Sequence, residues 1–113
     1  MVGHIESIRA ILLSKIPYPQ KRISSLLSNL RVEHTLEYYF LYDDKFFFVD
    51  IFINSTNKYL EIDGRHHKES KQKGDDRFRK SWLRKNFGLK EYRLKNSKAV
   101  KITKEELRIF LEL

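Results

Sequence analysis

Phe46-Phe47-Phe48-Val49-Asp50-Ile51-Phe52-Ile53 constrains this chain more than any other stretch: seven aromatic or β-branched residues with one carboxylic acid among them. Such residues favour a pleated, extended segment, so the run reads as a nearly continuous apolar strand. A carboxylate buried unpaired on that strand would cost several kcal/mol. Asp50 is therefore expected to be held by a metal, a cation or hydrogen-bond donors, unless it faces solvent from the edge of an antiparallel sheet.

The rest of the chain supplies elements to pack around this strand. Ile5, Ile8, Ile11 and Leu12 form one stripe of a helix over Gly3 to Lys15, which Pro17 and Pro19 stop. Ile23, Leu26, Leu27 and Leu30 repeat the pattern in a second helix. Val32 to Leu41 reads as a strand joined to Phe46–Ile53 by a turn at Tyr42-Asp43-Asp44-Lys45, and a turn at Asn54 to Asn57 leads to a third strand ending in Tyr59-Leu60-Glu61-Ile62-Asp63. Alternation puts Leu60 and Ile62 on one side of it and Tyr59, Glu61 and Asp63 on the other. Gly64 breaks the strand, and a polar loop runs to Gly74. Asp75-Asp76 starts a helix that presents Phe78 and Trp82 inward and ends at Gly88. Lys90 to Lys95 is a fourth strand, and Thr103 with Glu106 forms a capping box for a last helix burying Leu107, Phe110 and Leu111. The order is ααβββαβα.

Residues 1–113 are enough for one domain, alone or as a piece of a longer protein. Without cysteine the chain has neither disulfide, thiolate metal site nor cysteine nucleophile, and a reducing compartment, the cytoplasm, is expected. Its apolar runs are too short to span a bilayer, and Glu6 is unlike a signal peptide, so no membrane association is expected. Arg65 to Lys101 holds fourteen Lys and Arg against four acids, a balance of +10 within a net charge of +8. A segment that basic attracts phosphate backbones, although a solubilising lysine-rich face would show the same composition.

Glu61 and Asp63 add two carboxylates on the strand beside Asp50. Acids that converge raise one another's pKa unless a cation lies between them, and an all-oxygen cluster suits Mg²⁺ or Mn²⁺. His66 and His67 follow just after Gly64, where an imidazole could serve as general base. Each has an ordinary alternative: Glu61 and Asp63 could pair with nearby Lys or Arg, His67 could be solvated, Asp75 and Asp76 could answer a helix dipole, and Glu6 could be a surface acid.

Taken as a set, Val49-Asp50-Ile51, Glu61-Ile62-Asp63-Gly64, His67, Asp76, Arg79, Leu83, Gly88 and Tyr92-Arg93 resemble the PD-(D/E)xK restriction-endonuclease-like nucleases. They are most similar to the very-short-patch-repair-like branch, which includes phage homing endonucleases with a Glu, Asp, His, Asp signature. The resemblance spans Val49 to Arg93. It implies an α/β (α+β) restriction-endonuclease-like core, a mixed four-stranded sheet flanked by helices. It implies Asp50 as central metal ligand, Glu61 or the Ile62 carbonyl as a second ligand, His67 as general base, and Asp76 as a supporting acid; Glu6, or Glu37 in its place, would be the signature's first acid. Two positions depart from the wider pattern: Val49 stands where a proline usually precedes the acid, and Asp63 where a catalytic lysine is usual, which fits the branch that uses histidine.

The reading that follows is a Mg²⁺- or Mn²⁺-dependent DNA endonuclease of homing or mismatch-repair type, with Lys68, Lys71, Lys73, Arg77, Arg79 and Arg84 as candidate nucleic-acid contacts. Its target specificity would come from loops, a homodimer partner or a separate recognition domain. The alternative is a non-catalytic, basic nucleic-acid-binding module on the same fold. A structural protein of the ribosome-associated kind would explain the lysines but not Asp50.

Overall fold

The computed structural model describes residues 1–64 and 70–113, the side chains of 70–73 excepted. Helices α1 (Val2–Leu13) and α2 (Tyr18–Asn29) precede strands β1 (His34–Tyr42), β2 (Lys45–Ile53) and β3 (Lys58–Asp63). Helix α3 (Ser70–Phe87), strand β4 (Lys90–Lys95), a single turn α4 (Asn96–Ala99) and helix α5 (Lys104–Phe110) complete the chain. One sheet, in the order β1-β2-β3-β4, is antiparallel through its first three strands, and β4 runs parallel to β3. A parallel neighbour requires a crossover, and α3 makes it.

Local chemistry sets the joints. Tyr42 pairs with Lys45 across Asp43-Asp44, both at positive φ (53° and 60°), the two-residue turn whose twist matches a hairpin. Gly88 follows α3 at φ 67°, a conformation with no Cβ penalty for glycine. Thr103 and Glu106 cap α5 reciprocally, as their spacing predicts.

Two apolar clusters sandwich the sheet. Ile23 and Leu27 of α2 pack with Ile51, Ile53, Leu60, Leu94, Ile102, Leu107 and Leu111, while Leu83 of α3 packs with Val49, Tyr59 and Leu89. Val49 and Ile51 are two residues apart, which on a regular strand puts both on one face. Here they belong to different clusters, so the alternation of β2 changes phase at Asp50. The run from Phe46 to Ile53 therefore supplies both layers, Val49 and Phe52 to one and Ile51 and Ile53 to the other.

Three expectations are corrected. Helix α3 starts at Ser70, not at Asp75; Gly74, expected at the end of a loop, lies inside it, at an intrinsic cost of about 1 kcal/mol. Phe78 is 50% exposed rather than inward, because the inward stripe of α3 runs through Asp76, Arg79 and Leu83, which places Phe78 beside it. In α1 only Ile5 is buried, and Ile11 is 56% exposed.

Truncations should follow this map. Ile51→Ala and Leu83→Ala, one in each cluster, are expected to cost about 3 kcal/mol each in chemical denaturation. Ile109→Ala, at a position 63% exposed, should change stability by less than about 0.5 kcal/mol.

Candidate active site

The ladder between β2 and β3 pairs Ile53, Phe52 and Ile51 with Lys58, Tyr59 and Leu60 and ends there. Beyond it the strands fork, and side chains take over the bonding. The Asp50 amide donates to Glu61 Oε2 at 2.7 Å, and the Ile62 amide donates to Asp50 Oδ2 at 2.8 Å. Each acid thus satisfies a main-chain donor of the opposite strand, and the two carboxylates are fixed where the sheet opens.

On the other flank, Glu37 faces Asp50 in the β1–β2 register, between the pairs Leu36–Ile51 and Tyr38–Val49. Its φ is +48°, a left-handed conformation that is costly for a side-chain-bearing residue within a strand and concentrates at functional sites. Main-chain groups exposed by this distortion are taken up by two side chains. Arg9 donates to the Glu37 and Leu36 carbonyls at 2.9 and 3.1 Å. Gln20 Nε2 donates to the Asp50 carbonyl at 3.0 Å and to Glu37 Oε1 at 3.2 Å. Neither Arg9 nor Gln20 is distinguished by any pattern in the sequence.

Helix α3 brings the counter-charge. Arg79 pairs with Glu61 Oε1 and lies 3.5 Å from Asp76 Oδ1, and its Nε is buried with no hydrogen-bond partner among the described residues. Arg93 of β4 holds Asp63 at 2.6 Å and Glu91 at 3.1 Å, with Asp76 Oδ2 at 3.7 Å. The Tyr59 hydroxyl donates to Glu91 Oε1 at 2.8 Å.

Burial and mutual repulsion govern these acids. Glu61, 4% exposed, is raised well above the ordinary carboxylate range by burial and then by Asp50, with Arg79 and the Asp50 amide opposing. Burial also raises Asp50, against the Ile62 amide and Arg79, and Asp63 adds to the rise. Glu37 is pushed up to about 7 by burial and Asp50. Arg79 lowers the pKa of all three acids, whereas Arg9 acts on Glu37 and Arg93 on Asp50.

The structure therefore gathers Asp50, Glu61, Ile62, Asp63, Asp76 and Arg79 around the fork. Glu6 instead lies near the Tyr39 hydroxyl, whose pKa it raises; Glu37 is the acid set opposite Asp50. Arg79, expected as a nucleic-acid contact, is turned to Glu61, while Arg77 and Arg84 are exposed on α3. Lys71 and Lys73 lie on α3 with side chains outside the described residues, as His67 and Lys68 are altogether. No three His, Asp or Glu side chains among the described residues form a ready metal site.

This is an α+β fold whose sheet forks at paired acids. Among solved structures, it is similar to the homing endonuclease I-Bth0305I catalytic domain, with a TM-score of 0.62 and 14% identity over 83% of this chain and 93% of that one. The two share a fold. No protein-family model matches this chain, and no curated protein matches it in sequence.

Two consequences are measurable. The folded-state pKa of Glu37 lies above its unfolded value of 4.5, so its ionisation costs stability: nothing at lower pH, increasingly between 4.5 and about 7, and fully above. In EDTA, Glu37→Gln should raise the thermal midpoint at pH 8 and leave it unchanged at pH 4. Arg79→Met, which strands the buried Glu61 charge, should cost about 3 kcal/mol in urea unfolding at pH 8.

Proposed function

We propose that this chain is a metal-dependent DNA endonuclease of the very-short-patch-repair-like branch of the PD-(D/E)xK nucleases, hydrolysing phosphodiester bonds with a homing- or mismatch-repair-type catalytic domain. One observation carries the reading: Asp50, an acid in an apolar strand, is presented at a fork in the sheet of a fold shared with a homing endonuclease catalytic domain.

The donor chemistry fits a hard divalent cation. Glu37 is an oxygen donor raised by burial and by Asp50, and Asp50 is one raised by burial and by Asp63, a situation a cation relieves. Asp50 and the Ile62 carbonyl would hold the ion, with Glu61 as a further ligand wherever Arg79 releases it. A bound Mg²⁺ or Mn²⁺ would supply charge neutralisation at the scissile phosphate and a lowered water pKa. The remaining steps belong to the chain. His67 accepts the proton of the attacking water, Asp76 supports that base, and the Arg93–Asp63 pair steadies the end of β3. Lys68, Lys71, Lys73, Arg77 and Arg84 position the phosphate backbone, contacts that carry affinity and no sequence information. Target choice then falls to loops, a second copy of the chain or a separate domain.

A second reading, a basic nucleic-acid-binding module without catalysis, draws support from Glu61, whose two oxygens are engaged by Arg79 and the Asp50 amide. Supercoiled plasmid at low salt separates the two. Nicking or linearisation with Mg²⁺ should stop in EDTA and with Asp50→Asn. With His67→Ala it should fall by about 10² to 10⁴-fold, while DNA binding persists in both variants. Binding without cutting by the unaltered protein under all these conditions would favour the module.

A further inference from the structure

Glu61 presents an accounting problem for the site just described. One of its oxygens accepts from the Asp50 amide and the other pairs with Arg79, so a cation approaching the Arg79-bound oxygen meets the positive charge of the guanidinium while Arg79 stays in place. Arg79 itself is only partly satisfied. Its Nε is buried without a hydrogen-bond partner among the described residues, and a second carboxylate, Asp76, already lies in ion-pair range with Oδ1 at 3.5 Å, one turn back on the same helix. That separation is too long for a well-made charged hydrogen bond and short enough for a rotamer change to close.

We propose that Arg79 is a positioning residue that alternates with the divalent ion at Glu61: it neutralises the acids around Asp50 in the metal-free protein and, as the ion binds, gives up Glu61 and closes on Asp76. This inference rests on the reading of Asp50 as a metal-holding acid. The exchange answers two needs. The buried acid cluster is never left without a cation, which would strongly destabilise the fork. Metal binding also becomes coupled to the side-chain conformation of Arg79 on α3, the helix that bears Arg77 and Arg84.

The test measures metal affinity rather than cleavage. Mn²⁺ binding to the whole chain, followed by the electron paramagnetic resonance of the free ion, is compared for the unaltered protein, Arg79→Met, Glu61→Gln and the double variant. Lys80→Met serves as a control for charge removed from the exposed side of α3. If the two cations compete for Glu61, Arg79→Met tightens Mn²⁺ binding by about tenfold, Glu61→Gln erases that gain, and Lys80→Met changes affinity by about twofold or less. The same gain in the Glu61→Gln background, or no gain at all, overturns the exchange.

Should Arg79→Met fail to fold, the unaltered protein still decides. During a Mg²⁺ titration the Nε–H resonance of Arg79, assigned by its loss in Arg79→Lys, should shift and saturate with the binding isotherm. A resonance that does not move as the metal binds overturns the proposal. Mn²⁺ binding that is abolished by Asp50→Asn yet indifferent to Arg79 removes the exchange alone. An absence of any Asp50-dependent binding removes the metal reading along with it.

Discussion

The reciprocal bonds between Asp50 and β3 are the constraint on which the rest of this structure depends. At the point where β2 and β3 cease to pair, each strand offers an amide and each contributes a carboxylate that accepts the other's. The sheet can open there because its backbone groups remain satisfied. On the far side, Glu37 leaves the extended region, and Gln20 and Arg9 bond to the carbonyls its distortion frees. Helices α1 and α2 thus reach the fork through polar side chains as well as apolar ones. The change of phase at Asp50 follows, and with it the assignment of Val49 and Ile51 to opposite layers.

Such an arrangement works against stability, and its form indicates what it serves. A fold selected only for stability would fill the fork with aliphatic residues, since buried ion pairs seldom outperform well-packed hydrophobic ones. Here three carboxyls are raised by burial, and one guanidinium opposes all three. Strained backbone, desolvated acids and a shared counter-charge in one place are the attributes of a site that exchanges cations or protons. The surrounding layers, Ile23 and Leu27 on one side and Leu83 on the other, supply the rigidity that holds it.

Much of this was legible in the residues. The hairpin followed from Asp43-Asp44 between apolar runs, the third strand from the alternation of Leu60 and Ile62 against Tyr59 and Glu61, and the final helix from its capping box. Asp50 announced itself by interrupting an apolar strand. What stayed hidden depended on contacts distant in sequence. Gln20 and Arg9 are ordinary polar residues on amphipathic helices, and only the folded chain brings them to Glu37 and Asp50. Phe78 read as a core residue because large aromatics usually are, yet the inward stripe of α3 is shared with the ionic residues Asp76 and Arg79, which no hydrophobic pattern can register. Glu6 and Glu37 could not be ranked from sequence because the choice between them is set by strand register, a tertiary property.

Anomalous diffraction from crystals of this protein grown with Mn²⁺ would decide whether the fork at Asp50 holds a divalent ion. A peak roughly 2 Å from the Asp50 carboxylate, with the Ile62 carbonyl among its ligands, is the predicted result. Crystals soaked in saturating Mn²⁺ that show no peak at Asp50, or show the ion only at a site remote from the fork, would contradict it.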